Sequence, residues 1–547
     1  MGIPSYFSHV IRKYTKILRS SKYFVDNNKL FTHLYMDCNS IVYDSYHNIS
    51  SSYSQYTNEE FEEKLIRDVA INIEKYILLI NPTDVVYISF DGVAPLAKME
   101  QQRTRRYKTF FSSNVTFDDT PKDNTWNTSS ITPGTLFMEK LSNYIYFYFN
   151  HKEIQYNVKK IIVSCSDQPG EGEHKLYNHI RNNNTHNSNI SVYGLDADLI
   201  MLSIFHLKYC DNIYIFREAP EFLKNSIPID IQNNSNEPYF LDMKHLSISI
   251  VNEMGCQDNT ISRIDDYVFM CFLLGNDFLP HFPAMNIRTH GISVLLDIYK
   301  KHIGRFYNRY FISQITGKIQ WKYVNLFIQE IAKMEHELLK QEYFVRNKFD
   351  RRRYPETTSE EKQDVLLNCP VIYRQDEKYI YPDESHWEDR YYKNLFNSEK
   401  VDKKMISNNY LQGIEWVYKY YTGDCPDWKW KYNYHYPPLF KDLCKYIPHF
   451  DTDFISLSNK NNKPLFPYTQ LAYVLPRNNL HLLPKKIQDF LINNFSDLYP
   501  EFFNFKWAFC RYFWEAHPVL PDITIDLLET WNKQFILYKQ KCTSAIL

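Results

Sequence analysis

Short apolar runs alternate with segments of helical periodicity along the first 300 residues of the chain. The apolar runs have the length of buried strands, and they lie at residues 31–36, 84–90, 159–165, 189–194 and 213–216. Predicted helices lie between or after them, at residues 61–80, 135–149, 174–180 and 264–274, and residues 93–109 indicate a turn that leads into a basic helix. Strands that alternate with helices predict an α/β fold, with a mostly parallel, twisted sheet flanked by helices.

The pattern changes from about residue 301 onward. Residues 324–344 predict a long charged helix, whereas residues 345–405 are highly charged and poor in aliphatic residues, which favours extended or loop-rich structure. Residues 407–450 are densely aromatic. We therefore predict three regions: an α/β core over residues 1–310, long helices with a charged extended segment over residues 311–405, and an aromatic-rich region over residues 406–547 that packs on the core.

Composition narrows the class of protein. A chain of 547 residues is too long for one compact core, so more than one lobe is expected. The net charge of −1 means that a nucleic-acid site must be a local basic patch. The ten cysteines lack metal-ligand spacing, and the N-terminus does not have the pattern of a signal peptide. These features predict an intracellular, cytoplasmic protein without a membrane span, and the abundance of Asn and Tyr is consistent with an AT-rich genome such as that of a large DNA virus.

Acidic residues follow the predicted apolar elements, where an α/β site would form. Asp196 and Asp198 come shortly after the run at 189–194, and in an extended strand this spacing would direct both carboxylates to the same side. Hard oxygen ligands without His or Cys favour Mg²⁺ or Mn²⁺, and such a cluster suits a two-metal phosphodiester site. Taken singly, each acid could equally be a helix cap or a surface charge. The candidate metal ligands and catalytic residues are Asp37, Asp91, Glu171, Glu173, Asp196, Asp198 and Asp277.

A basic helix follows the Asp91-Gly92 turn. Lys98, Gln102, Arg105 and Arg106 fall on one helical face, and Arg can bind a phosphate in a forked geometry. This face predicts a phosphate-binding pocket. The alternative is an ordinary solvated face of a basic helix.

Aromatic residues near these elements could stack on nucleotide bases. Tyr43 lies six residues after Asp37, and the aromatic block contains Trp428 and Trp430. The alternative for most aromatic residues of this chain is packing in the core.

Several longer motifs occur in a fixed order along the chain. They are Met1-Gly2-Ile3-Pro4, Met36-Asp37-Cys38-Asn39-Ser40-Ile41, Asp91-Gly92-Val93-Ala94-Pro95 to Arg106, Ile131-Thr132-Pro133-Gly134-Thr135, Pro169-Gly170-Glu171-Gly172-Glu173-His174-Lys175, Tyr193-Gly194-Leu195-Asp196-Ala197-Asp198 and Phe272-Leu273-Leu274-Gly275-Asn276-Asp277-Phe278-Leu279-Pro280. Together these motifs resemble those of the Xrn/Rat family of 5′→3′ exoribonucleases. The resemblance is dense over residues 1–310, resumes at residues 387–392 and 411–438, and is weaker after that.

The resemblance implies a nuclease core related to flap endonucleases and PIN domains. It implies that the seven acids bind two Mg²⁺ or Mn²⁺ ions, and that the face with Lys98, Gln102, Arg105 and Arg106 holds the 5′-monophosphate of single-stranded RNA. Such an enzyme would release mononucleotides processively, with terminal bases stacked on aromatic residues, and the decapping machinery is the candidate protein partner.

The chain departs from the family pattern at four places. Leu96 stands where arginine is usual, Tyr43 stands where a stacking histidine is usual, and Leu136 replaces an acid. From this resemblance we also expect the chain to lack the long C-terminal modules of the cytoplasmic members. Two alternatives stay open: a flap or structure-specific DNA nuclease on the same core, and an inactive RNA-binding scaffold.

Overall fold

The structure is a computed structural model of the chain. It describes residues 2–115, 125–183, 185–194, 196–218, 238–258, 260–396, 401–455 and 462–544. The polar composition of residues 112–127 predicts a loop; this segment lies mostly outside these ranges, and its first three residues are helical.

A seven-stranded sheet forms the centre of the N-terminal half, and a separate two-stranded pair lies near the C-terminus. The strands are β1 (Leu18–Arg19), β2 (His33–Asp37), β3 (Val85–Ser89), β4 (Lys160–Ser164), β5 (Asn189–Tyr193), β6 (Asn212–Arg217), β7 (Tyr239–Asp242), β8 (Phe505–Lys506) and β9 (His517–Pro518). The order in the large sheet is β1-β7-β6-β5-β2-β3-β4. The strands from β2 to β6 are parallel to one another, as the alternating pattern predicted, and β8 and β9 pair antiparallel.

Two strands at one edge of the sheet were not predicted. β7 pairs antiparallel with β6, and the two-residue β1 pairs antiparallel with β7. Strands of two and four residues are too short to show a clear period of two, so the hydrophobic pattern does not detect them.

Helices cover both faces of the sheet. Alternation along β2 sends Tyr35 into the core on one face and Leu34 and Met36 into the core on the other. The helices of this half are α1 (Tyr6–Lys13), α2 (Ser21–Asp26), α3 (Asn39–Ile49), α4 (Asn58–Ile80), α5 (Leu96–Asn114), α6 (Leu136–Phe149), α7 (Gly172–Asn182), α8 (Asp198–His206), α9 (Met243–Met254), α10 (Arg263–Cys271) and α11 (Gly291–Tyr299).

The second half of the chain is mainly helical. Among the helices of the described residues, none combines the length and the apolar character needed to span a bilayer. The helices of this half are α12 (Trp321–Arg346), α13 (Ser359–Ile372), α14 (Gln375–Ile380), α15 (Trp387–Leu395), α16 (Lys403–Thr422), α17 (Phe440–Leu443), α18 (Pro467–Val474), α19 (Lys485–Phe495) and α20 (Ile525–Ser544).

The prediction of extended structure over 345–405 was wrong, because α13, α14 and α15 lie there. Thr358 and Glu361 close the first turn of α13 with a reciprocal capping box. Part of the charge is buried in an ion-paired triad: Arg346 and Arg374 both contact Glu377. Charged residues therefore supply caps and buried pairs here, in place of the apolar stripe that sequence periodicity detects.

The C-terminal region fixes the start of α5, the basic helix. The Ala94 amide donates to Gln470 Oε1 at 2.9 Å, and the Leu96 amide donates to the Trp428 carbonyl at 2.9 Å. The Leu96 side chain is buried in an apolar cluster with Leu471 and Val474 of α18. A leucine at this position therefore packs the basic helix against the second half of the chain.

Candidate active site

The first acids of the site lie at the carboxyl ends of two neighbouring strands. Asp37 is the last residue of β2, and Asp91 lies two residues beyond β3. The amide of Gly172, the first residue of α7, donates to Asp91 Oδ1 at 2.6 Å. A Cβ atom at position 172 would lie 2.6 Å from Asp37 Oδ1, so only glycine lets α7 begin this close to both acids. Glu171 and Glu173 flank that glycine and are brought to the same place.

Asp196 and Asp198 lie beyond the end of β5, not within an extended strand. β5 ends at Tyr193, and Asp198 is the first residue of α8. The prediction of two strand-directed carboxylates was therefore wrong in its local geometry. Asp196 is exposed at the cavity, whereas Asp198 is 3% exposed and accepts a hydrogen bond from the Tyr421 hydroxyl at 2.8 Å.

Asp277 reaches the site from the other side, after the short helical turn at Phe272–Leu274. Its carboxylate lies 2.7 Å from the Lys98 ammonium, which also lies 2.6 Å from Glu171 Oε2. Lys98 belongs to α5, so the basic helix is tied directly to the acidic wall.

One cavity of about 290 Å³ joins the acidic and the basic residues. Six of the seven predicted acids line it, and Asp198 lies behind them. All four predicted residues of the basic helix line it as well. The lining residues that the sequence predicted are Asp37, Tyr43, Asp91, Lys98, Gln102, Arg105, Arg106, Glu171, Glu173, Asp196 and Asp277.

The carboxylates cannot all be ionised without compensating positive charge. Burial raises the pKa of Asp37 well above its usual range, and the charges of Asp91 and Asp196 raise it further. Burial, together with the charge of Asp198, raises the pKa of Glu173 in the same way. The acids of this cluster thus raise one another's pKa through mutual repulsion.

Two further acids show how charge is balanced. Burial and the nearby charge of Asp277 raise the pKa of Asp198 to about 6. Burial alone would raise the pKa of Asp277, but the Lys98 ammonium holds it below the ordinary value. One lysine therefore compensates only part of the negative charge.

The donor set fits a hard divalent cation. Within the described ranges, no three of the chain's His, Cys, Asp or Glu side chains converge closely enough to form a ready-made metal site. However, Glu173 Oε2 is buried without a hydrogen-bond partner among the described residues, and a buried carboxylate oxygen of this kind requires a proton or a cation. Carboxylate oxygens without His or Cys are the ligands that Mg²⁺ and Mn²⁺ prefer.

The basic wall is held by the loop before α6. Arg106 donates from Nη2 to the Thr132 hydroxyl, and that hydroxyl donates to the Ser129 carbonyl at 2.6 Å. Thr132 is 1% exposed and lines the cavity. Arg105 is exposed at the rim, so the two arginines present guanidinium groups at different depths.

The aromatic candidates separate into two groups. Tyr43 is half-buried and lines the cavity. Trp430 is 8% exposed and stacks on Trp416 with 5.3 Å between ring centroids, which favours the packing alternative for this residue. Trp428 is half-buried, and neither of these tryptophans lines the cavity.

An aromatic residue that the sequence analysis did not single out is Trp514. It is 49% exposed, stacks on Tyr512 at 4.2 Å, and lines a second cavity of about 590 Å³. Gln101 and Asp277 line both cavities, so the two spaces meet at α5. Because 17% of the chain is aromatic, Trp514 does not stand out in the sequence. Only its exposure in the structure distinguishes it from the other aromatic residues.

Comparison with known proteins gives matches over most of the chain. Residues 1–219 match the N-terminal model of the XRN 5′-3′ exonucleases, and residues 258–381 and 373–534 match the model described as the Xrn1 helical domain. Among curated proteins, 5′-3′ exoribonuclease 1 of Schizosaccharomyces pombe is 26% identical over 97% of this chain and 49% of its own length.

Two further relatives give the same picture. The 5′-3′ exoribonuclease 1 of Saccharomyces cerevisiae is 26% identical over 91% of this chain and 41% of its own length. The 5′-3′ exoribonuclease 2 of Candida albicans is 25% identical over 98% of this chain and 72% of its own length. The chain thus spans about half the length, or less, of the two exoribonucleases 1 that it matches. The two family models cover most of its residues, and the chain belongs to the XRN 5′-3′ exonuclease family.

Proposed function

We propose that the protein is a processive 5′→3′ exoribonuclease that hydrolyses single-stranded RNA carrying a 5′-monophosphate and releases mononucleotides. One observation carries the proposal: a single cavity of about 290 Å³ has the acids on one wall and the Lys98–Arg106 face of α5 on the other. A terminal phosphate bound by the basic wall would place the first phosphodiester beside the carboxylates. The names of the similar exoribonucleases support the same activity.

The basic wall would act as a selector for the 5′ end. Arg106 is half-buried and oriented by Thr132, and Arg105 adds a second guanidinium group that can pair with phosphate oxygens. The volume suits one terminal phosphate with its nucleotide, and a triphosphate or a cap would have to displace the acids or the loop at Thr132. Because the strand would end in this pocket at its 5′ nucleotide, each cleavage would release one nucleotide.

The acidic wall would perform the hydrolysis. When bound, two divalent ions would supply activation of water and stabilisation of the developing charge on the attacking and leaving oxygens. Asp37, Asp91, Glu171, Glu173, Asp196, Asp198 and Asp277 are the residues that would hold them. Lys98 would keep Glu171 and Asp277 ionised and in place, since its ammonium lies within 2.7 Å of both carboxylates.

The second cavity supports a path for the strand that follows the terminal nucleotide. It meets the first cavity at Gln101 and Asp277, and its lining includes Arg288 and Lys108 as cations and Trp514 as an exposed aromatic ring. A base stacks on such a ring without regard to its identity. Tyr43, on the other side of α5, would contact the terminal nucleotide.

The experiment is a degradation assay with 3′-labelled single-stranded RNA that carries a 5′-monophosphate, 5′-triphosphate, cap or 5′-hydroxyl. We expect the monophosphate to be degraded fastest, with mononucleotides as products. A flap DNA of the same length tests the alternative of a structure-specific DNA nuclease, and binding without cleavage tests the alternative of a scaffold. Equal rates on all four RNA ends, or preferred cleavage of the flap, would refute the proposal.

A further inference from the structure

Helix α16 of the second half of the chain places two consecutive tyrosines against the acidic wall. The Tyr420 hydroxyl donates to Glu171 Oε1 at 2.9 Å, and the Tyr421 hydroxyl donates to Asp198 Oδ1 at 2.8 Å. Glu171 immediately precedes α7, and Asp198 begins α8. One turn of one helix therefore contacts acids at the starts of two different helices of the nuclease core.

Both phenol rings are fixed by packing. Tyr420 is 3% exposed and stacks on His174 with 3.6 Å between ring centroids, and it also packs on Trp416. Tyr421 is 2% exposed and meets Phe272 edge-on at 5.3 Å. Because the rings cannot turn away, each hydroxyl has a fixed direction and each bonded carboxylate has one orientation.

Each tyrosine bond takes up one lone pair of the carboxylate that it reaches. Glu171 accepts from Tyr420 at Oε1 and pairs with Lys98 at Oε2. Asp198 accepts from Tyr421 at Oδ1, and the backbone of Gly2 is so close that a Cβ there would lie 2.3 Å from the same oxygen. An ionised carboxylate has about four acceptor sites, so both acids keep lone pairs for a cation in the orientation that the tyrosines fix. Such hydrogen bonds to ligating carboxylates fix their orientation and raise metal affinity.

We propose that Tyr420 and Tyr421 are positioning residues, through which the helical half of the chain orients Glu171 and Asp198 for divalent-cation binding. The inference rests on the metal-dependent function proposed above, and it assigns a specific task to α16. The nuclease core supplies the carboxylates, and the helical half supplies the two hydroxyls that hold them. The core alone would then bind the cation more weakly.

Helix α16 also provides a matched control. Tyr418 is buried on the same helix, and its hydroxyl donates to the Gly317 carbonyl at 3.0 Å, away from the acids. Tyr418→Phe removes a tyrosine hydroxyl hydrogen bond from the same helix, one whose acceptor is a partly buried backbone carbonyl and not a carboxylate. Any effect that it shares with Tyr420→Phe and Tyr421→Phe is therefore an effect on the fold.

The experiment measures Mn²⁺ binding to the full chain by electron paramagnetic resonance, without RNA, together with the thermal unfolding midpoint. We expect Tyr420→Phe and Tyr421→Phe each to raise the Mn²⁺ dissociation constant about tenfold. Tyr418→Phe should lower the unfolding midpoint by a similar amount and leave Mn²⁺ affinity unchanged. In the exonuclease assay, the two test variants should need more Mg²⁺ for half-maximal rate and recover at saturation.

Three outcomes would overturn the inference: unchanged Mn²⁺ affinity in both test variants, an equal loss of affinity in Tyr418→Phe, or no Mn²⁺ binding by the parent. The readout does not depend on RNA, so it separates this inference from the proposed function. A parent that binds Mn²⁺ in the predicted tyrosine-dependent way but degrades no RNA would refute the proposed function alone.

Discussion

The Lys98 ammonium lies 2.6 Å from a carboxylate oxygen of Glu171, so one side chain of the basic helix is an integral part of the acidic wall. The same ammonium pairs with Asp277 at 2.7 Å. Burial alone would lower the pKa of Lys98, but these two carboxylates raise it well above the usual value. The lysine is therefore charged at neutral pH, and the two walls of the cavity depend on each other.

Lys98→Met should destabilise the fold and abolish activity. Removal of one partner from a buried ion pair leaves an uncompensated charge and costs about 3–5 kcal/mol. The pKa of Asp277 is lowered by Lys98, so this part of the stability is present above pH 4 and is lost on acidification. The difference between parent and variant in the free energy of unfolding should therefore be largest at pH 7 and shrink below about pH 4.

Denaturant unfolding at several pH values measures this difference. Lys140→Met is the control, because Lys140 pairs with Glu62 at 3.0 Å but is 38% exposed. A partly exposed pair contributes less than about 1 kcal/mol. If Lys98→Met costs no more than Lys140→Met at pH 7, Lys98 does not compensate the acids.

Asp196→Ala should abolish exonuclease activity and leave the fold intact. Asp196 is exposed at the cavity, so its removal leaves no buried void, and it removes one of the candidate metal ligands. We expect the rate to fall at least a hundredfold, and we expect the parent to lose activity in chelator and regain it with Mg²⁺ or Mn²⁺. Asp489→Ala, a surface carboxylate on α19, is the control. Full activity of Asp196→Ala, or of the parent in chelator, would contradict the metal-dependent mechanism.

Thr132→Val should reduce the preference for a 5′-monophosphate. The Thr132 hydroxyl accepts from Arg106 and donates to Ser129, so valine of similar size leaves the guanidinium without its orienting partner. A hydrogen bond to a charged group contributes about 1.5–3 kcal/mol, which corresponds to about a ten- to hundredfold effect. The measurement is the ratio of kcat/KM on 5′-monophosphate and 5′-hydroxyl RNA. Thr132→Ser keeps the hydroxyl and should keep this ratio. If Thr132→Val has the same ratio as the parent, Thr132 does not contribute to recognition of the 5′-monophosphate.

The strand-end acids could be predicted from the sequence because buried strands have a clear apolar pattern and parallel strands end at one edge of the sheet. Asp37 and Asp91 were located in this way. The positions of Asp198 and Asp277 depend on where a helix begins and on a short helical turn, which the periodicity does not specify.

Contacts between distant segments could not be predicted at all. Nothing local to Tyr420 indicates that its hydroxyl meets Glu171, which lies 249 residues away along the chain. Trp514 and Trp430 likewise look equivalent in a chain rich in aromatic residues, and only tertiary packing exposes one and buries the other.

Glu100→Gln should weaken the attachment of α5 to the C-terminal region in a pH-dependent way. Glu100 lies 2.8 Å from the Lys431 ammonium and accepts from the Tyr473 hydroxyl. Burial would raise its pKa, but Lys431 and Arg103 lower it to about 2. A carboxyl group whose pKa is lowered by folding contributes stability at pH values above its pKa in the unfolded chain, which is about 4.5. This contribution is lost as the pH falls towards 2.

Denaturant unfolding of Glu100→Gln at pH 7, 5 and 4 tests this expectation. We expect a loss of about 1.5–3 kcal/mol at pH 7, and a difference from the parent that narrows below about pH 4.5. Glu529→Gln, which removes an exposed partner of Lys429, is the control and should change stability by less than about 1 kcal/mol. If the difference in the free energy of unfolding between parent and variant stays constant from pH 7 to pH 4, the expected narrowing does not occur. If that difference widens on acidification, Glu100 is not a stabilising ionised group.

Trp514→Ala should shorten the run of nucleotides removed per binding event, and Tyr43→Ala should weaken capture of the first nucleotide. Tyr43 lines the first cavity and Trp514 lines the second, and a base–aromatic stack contributes about 1–3 kcal/mol whatever the base. Either variant should therefore lose up to about a hundredfold on every RNA sequence, without a change in Mn²⁺ affinity. Tyr43→His keeps a flat ring and should restore most of the function.

Trp430→Ala is the contrasting variant: its ring is buried against Trp416, so we expect a loss of about 3–5 kcal/mol in the free energy of unfolding. The measurement is processivity on a long 5′-monophosphate RNA with a trap for released enzyme. If Trp514→Ala removes as many nucleotides per binding event as the parent, the second cavity is not the path of the RNA strand.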